Sequence, residues 1–148
     1  MPRLTAIRKQ ALDGIMKEAL FEATIAALSA HGVDGLTMDR VAAGAGIAKG
    51  SLYRYFRSKQ ELLEFVYGKI VDPFFRQMDE VLAAPLPAAE KLSRQLEMLL
   101  EHVAKHAEIH KLLFEDEAVR GLLQSSERRS FEAASRQMAG VFRQGIDE

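Results

Sequence analysis

The chain has 148 residues, 48% of them hydrophobic and 28% charged, with a formal net charge of −1, which leaves room for one compact domain or a small unit plus a modest second one. It has no cysteine, so disulfides, thiolate nucleophiles and Cys-based zinc sites are excluded. No stretch nears the roughly 18 apolar residues of a membrane span, and Met1-Pro2-Arg3-Leu4-Thr5 lacks the apolar core of a signal peptide. The expectation is a soluble, cytoplasmic protein with no membrane partner.

The hydrophobic spacing is helical throughout, which predicts an all-α fold. A first helix is expected from about Asp13 to His31, with Met16, Leu20, Ala23, Ala27 and Ala30 as its apolar stripe and Gly32 free to end it left-handed. Thr37 is a natural N-cap for a short helix Met38–Ala43, with Asp39 well placed in its first turn. Gly44-Ala45-Gly46 breaks that helix, and a second short one is expected over Lys49–Phe56. Ser58-Lys59-Gln60-Glu61 has the form of a capping box, Ser at the N-cap and Glu three residues on, ahead of a long helix from Lys59. Pro73 falls inside that helix, so a kink or break is expected near 69–72. Pro87 opens the next helix, to about Ala107, with a stripe Ala89, Leu92, Leu96, Leu99, Val103 and Ala107. A shorter helix from Glu108 is expected to stop at Gly121, and a last one to begin at Ser126.

That last helix reaches Gly145-Ile146-Asp147-Glu148 without a stop signal, and Val141, Phe142 and Ile146 have no later segment to cover them. The expectation is a chain that lacks its last helices, with weak self-association of these 148 residues. The alternative is a protein that ends here and pairs through this helix.

Charge is unevenly spread. Residues 1–60 carry +4 and residues 61–148 carry −5. A nucleic-acid reader needs a local basic face, not a basic protein, so the first 60 residues are where a DNA contact is sought. Two short helices around a tight glycine turn have the shape that enters a major groove. Ala42 is small where the second helix crosses, Gly46 lets the turn reverse, and Val41, Ile47 and Leu52 pin the pair to the first helix. The second helix then presents Lys49, Gly50, Ser51, Tyr53, Arg54 and Tyr55, which can donate to base edges and phosphates. Arg40 lies on the outward side of its own helix. Phe56 is expected in the core.

This segment resembles the tetracycline-repressor (TetR) family of regulators. The resemblance is carried by Leu36-Thr37-Met38-Asp39-Arg40-Val41-Ala42 through Gly46-Ile47-Ala48-Lys49-Gly50-Ser51, and most specifically by Leu52-Tyr53-Arg54-Tyr55-Phe56 followed by Ser58-Lys59. Ala19-Leu20-Phe21 through His31-Gly32 looks like the family's first helix. The resemblance implies that Thr37 caps the first reading helix and touches phosphate. It implies that Lys49, Gly50 and Ser51 face bases, that Tyr53 and Tyr55 contact phosphate or sugar, and that Lys59 anchors to phosphate. Ala48 departs from the pattern: the family often has Ser or Thr there, and without that oxygen the cap forfeits about 1 kcal/mol.

By the same resemblance the protein has a three-helix DNA-binding reader, residues 1–57, and a helical effector-binding and dimerisation body, residues 58–148. It would repress from a palindromic double-stranded operator as a homodimer and be released by a small, largely apolar effector. The expected pocket lining is Phe65, Phe74, Phe75, Met78, Met98, His102, Phe114, Phe131, Met138 and Phe142, a group rich in adaptable Phe and Met. A DNA-binding module that senses nothing is the alternative.

Other chemistries find less footing. The order Lys49-Gly50-Ser51 is not the Gly-Lys-Ser/Thr of a nucleotide loop, and no strand precedes it. His102, His106 and His110 recur at four-residue spacing, which can chelate a metal if one helix runs through all three, and equally can line a pocket or a wet edge. No resident metal or other cofactor is expected, and no catalytic grouping stands out, so no enzyme is expected.

Overall fold

The structure, a computed structural model, describes residues 2–148 except the side chains of Pro2 and Phe114. The described residues form seven helices and no strand: α1 Pro2–His31, α2 Met38–Gly44, α3 Lys49–Tyr55, α4 Lys59–Ala83, α5 Ala88–Lys105, α6 Ala107–Glu115 and α7 Glu117–Asp147. They divide into two compact units, Met1–Val66 and Tyr67–Glu148. The first therefore extends past the expected boundary at residue 57. The reason is burial: Leu62, Leu63 and Val66 on the opening turns of α4 are fully excluded from water and complete the core that Leu20, Leu28, Leu36, Val41 and Leu52 begin. No described helix is long and apolar enough to cross a membrane.

In the first unit Leu20, Ala23 and Ala27 of the expected α1 stripe face inward, joined by Leu28, while Met16 is half-buried and Ala30 exposed; α1 begins at Pro2, eleven residues before Asp13. Arg3–Leu12 is made of good helix formers with no breaker, so nothing stops the helix at Asp13. Gly32 takes φ +67 after α1 and returns its N–H to the Leu28 carbonyl at 2.8 Å. Thr37 caps α2 by accepting from the Arg40 N–H at 3.2 Å. Gly46, at φ +68, lets the turn reverse so that the Ile47 N–H reaches back to the Ala42 carbonyl at 3.0 Å. α2 also lies so close to α1 that a Cβ on Gly44 would sit 3.3 Å from the Ala23 Cβ.

Ser58 caps α4 by accepting from the Glu61 N–H at 3.2 Å, while the Glu61 carboxylate takes the Arg57 N–H at 2.8 Å. The box closes one residue further back than expected. α4 continues through Pro73 without a break; a proline removes one N–H from the ladder, and the bonds on either side of it hold the helix.

The second unit departs more from expectation. α6 ends at Glu115 and α7 runs unbroken from Glu117 through Gly121 and Ser126. The boundary is set by Asp116, whose carboxylate accepts from the Val119 N–H at 3.1 Å; a helical Gly121 only forfeits about 0.5–1 kcal/mol relative to alanine. The face α5 turns inward runs Ala88, Lys91 and Gln95, all buried. Its expected stripe lies alongside in water: Leu92 37%, Leu96 55%, Leu99 43% and Val103 49% exposed. Polar contacts decide the register. The Lys91 ammonium donates to the Leu82 carbonyl at 2.6 Å and to the Gln144 side-chain oxygen at 2.7 Å. The Gln144 amide donates to the Leu86 carbonyl at 2.7 Å, and the Glu148 carboxylate accepts from the Ala88 N–H. Gln137 on α7 donates to Asp79 at 2.7 Å on α4, and the Tyr67 hydroxyl to Ser130 at 3.0 Å.

Candidate nucleic-acid interface

The α2–turn–α3 segment positions the candidate DNA contacts. α3 is pinned by Leu52, wholly buried, and the chain beyond it by Phe56, whose ring lies 4.8 Å from that of Phe65. With one face committed to the core, Lys49, Gly50, Tyr53 and Arg54 are left exposed and Ser51 half-buried. Nothing lies within 4 Å of a Cβ built on Gly50, so this part of the helix offers bare backbone to an approaching strand. The first turn of α3 has no side-chain cap from Ala48.

Several of the expected contacts have partners of their own. The Lys49 ammonium sits 2.9 Å from an Asp39 carboxylate oxygen, linking α3 to α2, and that hydrogen bond raises its pKa above the ordinary lysine value. Both side chains are exposed, so the pair is weak and exchangeable. Arg40 donates from Nη1 to the Gly35 carbonyl at 2.6 Å. The Tyr55 hydroxyl donates to the Asp13 carboxylate at 2.9 Å, which raises its pKa and fastens α3 to α1. Lys59 donates to the Val33 carbonyl at 2.8 Å. An ammonium has three donors, so one spent on Val33 does not remove Lys59 from a phosphate contact.

Lys49, Gly50, Ser51, Tyr53 and Arg54 thus share one helix edge. Thr37 and Arg40 stand at the start of α2, Lys59 at the start of α4, and Tyr55 is a strut between helices. Two partners lie outside the sequence reading. Asp39 was placed there only as a favourable first-turn charge, and a charge pair between facing helices ten residues apart leaves no periodic signal. The early part of α1 is the other: Thr5, Arg8, Lys9, Leu12, Asp13, Ile15 and Met16 line, with Tyr55, an open groove of about 500 Å³. The basic excess of the first 60 residues was its only trace.

The expected effector-pocket residues are scattered. Phe74 lies 5.3 Å edge-on from Phe75 and 4.5 Å in a stack from His102. Met78 is buried and Met98 half-buried. Phe65 belongs to the first unit. Phe131 is 74% exposed, Phe142 57% and Met138 40%, so these three are not gathered with Phe74. The Phe114 side chain lies outside the described residues.

Residues 17–66 match the family described as bacterial regulatory proteins, tetR family. The chain is 29% identical over 117 residues to the uncharacterized HTH-type transcriptional regulator YhgD of Bacillus subtilis, covering 76% of this chain and 61% of that protein. It is 30% identical over 134 residues to the HTH-type transcriptional repressor KstR2 of Mycobacterium tuberculosis, covering 87% and 66%. Among solved structures, a Clostridium perfringens protein assigned as a fatty acid metabolism regulator superposes with a TM-score of 0.69 at 26% identity, covering 84% of this chain and 70% of that one. The chain spans about half to two thirds of the length of the curated relatives it matches.

Proposed function

Since the chain belongs to the tetR family of bacterial regulatory proteins, we propose that it is a transcriptional repressor that binds a near-palindromic DNA operator as a homodimer and is released by a small, largely apolar effector. The observation that carries the reading is the exposed edge of α3: Lys49, Gly50, Ser51, Tyr53 and Arg54 stand together over a helix anchored by Leu52. That edge offers donors to base edges and phosphates, as a helix lying in a major groove does. Lys49 exchanges its Asp39 partner for a base or phosphate, and Thr37, Arg40 and Lys59 flank it on the backbone, while Tyr55 holds α3 to α1.

One reader covers one half-site. Two half-sites need two copies, and the exposed leucine row of α5 with Phe131, Phe142 and Ile146 on α7 offers apolar surface that association would cover. The similarity to a protein assigned to fatty acid metabolism and the aromatic group of Phe74, Phe75 and His102 support an apolar effector. No step of this reading asks for catalysis, and the work takes place in the cytoplasm, where the operator is.

The test is selection of bound fragments from genomic DNA by the protein, followed by titration of the selected duplex against salt. The expected result is a two-fold site with half-sites about 34–36 Å apart and affinity that falls steeply with salt. Failure to enrich any duplex at low salt overturns it.

A further inference from the structure

We propose that His102 and His110 form a two-imidazole site for a borderline divalent transition cation such as Zn2+. Their Nε2 atoms stand 3.4 Å apart. Two imidazoles bound at about 2.0–2.1 Å and a tetrahedral angle place their nitrogens about 3.3–3.4 Å apart, so both rings are already set at chelating separation.

The approach depends on the break between α5 and α6. In one continuous helix, residues eight apart are separated by about 12 Å along the axis. The chain instead leaves the helix at His106, φ −112 and ψ 17, and across that joint the His110 ring comes within 5.3 Å of the His102 ring. His106 lies beside the pair, 4.9 Å and 6.3 Å away by ring centres. Among the described residues no third His, Asp or Glu joins the pair as a group of three, so water completes the coordination. The four-residue ladder legible in the sequence is therefore not the chelate; the chelate spans the joint.

The chemistry of the donors selects the cation. Neutral imidazole suits zinc, nickel and copper, whereas Mg2+ and Ca2+ take oxygen ligands. Phe74, stacked on His102 at 4.5 Å, holds that ring in place. Burial lowers the pKa of all three histidines, helped by neighbouring imidazoles at His102 and His110 and by the Lys105 charge at His102 and His106, so at neutral pH a cation displaces no bound proton. Without metal, one Nε2–H donates to the other ring's Nε2. On binding, that proton moves to Nδ1 through solvent, and both Nε2 lone pairs face the cation. The bound ion ties α5 to α6 across the joint.

The experiment is calorimetric titration of the untagged chain with ZnCl2 at neutral pH, with MgCl2 in parallel and circular dichroism as the folding control. The expected result is one Zn2+ per chain, a raised Tm, and no heat from Mg2+. His102→Gln and His110→Gln should each abolish binding, while His106→Gln should retain it. Should His102→Gln fail to fold, His110→Gln, on the shorter helix, carries the test, together with the imidazole NMR signals of the wild type, which should move to the Nδ1–H tautomer on zinc. No stoichiometric zinc, or binding that survives His110→Gln, or equal loss with His106→Gln, overturns the site.

Discussion

The first unit and the second obey different rules for what goes inside. In Met1–Val66 most of the residues that the helical period assigns to the core are deeply buried, and Leu20, Val41, Leu52 and Leu62 are fully enclosed, though Ala30 of the α1 stripe is exposed. In Tyr67–Glu148 the helix with the clearest leucine row, α5, turns Lys91 and Gln95 inward and leaves Leu92, Leu96 and Leu99 in water. Periodicity reports that a face is suited to burial; it does not say against what. In the reader the partner is the next helix along the chain, and pattern and fold agree. In the second unit α5 meets α4 and α7 through the Lys91 ammonium, which donates to the Leu82 carbonyl and the Gln144 amide oxygen, and its apolar face is left for other contacts.

The sharpest test of that contrast is a pair of truncations. Leu52→Ala should destabilise the reader by about 2–5 kcal/mol, the range for a fully buried leucine, whereas Leu96→Ala should fall within about 0.5 kcal/mol in the isolated chain. Urea unfolding of both variants decides it; an equal loss in the two would mean that the α5 row is core after all.

Next in size are the two buried polar residues of α5, which should respond with opposite signs. Lys91→Met strands the Leu82 carbonyl and the Gln144 oxygen and should lose about 1.5–3 kcal/mol. Gln95 is 2% exposed, and neither of its amide atoms has a hydrogen-bond partner, so Gln95→Leu should gain about 1 kcal/mol. Denaturation midpoints that move the same way for both would show that burial alone, not pairing, sets the register.

Within the reader, Ala48→Ser should supply the missing cap of α3 and gain about 0.5–1 kcal/mol. Amide exchange in the first turn of α3 should slow accordingly; unchanged exchange would show that the turn is held by packing alone.

The smallest effect at neutral pH belongs to the second unit. Burial first, then the neighbouring His106 and His110, lowers His102 from the ordinary 6.5 to about 4. Above pH 6.5 folded and unfolded chains are both neutral there and stability is unaffected. As pH falls from 6.5 towards 4 the unfolded chain takes up a proton that the folded unit refuses, so stability declines through that window. The NMR titration of His102 should have its midpoint near 4. A midpoint near 6.5 would place the ring in open water.

Much of the first unit was legible because it is built from local signals. Thr37 and Ser58 read as caps, Gly46 as a turn, and Leu52 and Phe56 as anchors, and each signal acts within a few residues. Lys49 was legible as an exposed cation, but its pairing with Asp39 and the tie from Tyr55 to Asp13 join residues distant in sequence, which spacing does not encode. The candidate effector site was less legible. Phe74, Phe75 and His102 come together, while Phe131 and Phe142 point to water, because aromatic content says which residues favour a cavity and not which helices face one another.

From the sequence by itself came the all-helical class, the reader with its glycine turn, and the edge of α3 that faces outward. These follow from short-range physics: period, capping and the steric freedom of glycine. The tertiary structure alone decided that α5 docks by Lys91 and that the break at His106 brings His102 against His110. Each of those depends on a choice between local options with closely balanced free energies, and only the packing of distant segments tips that balance.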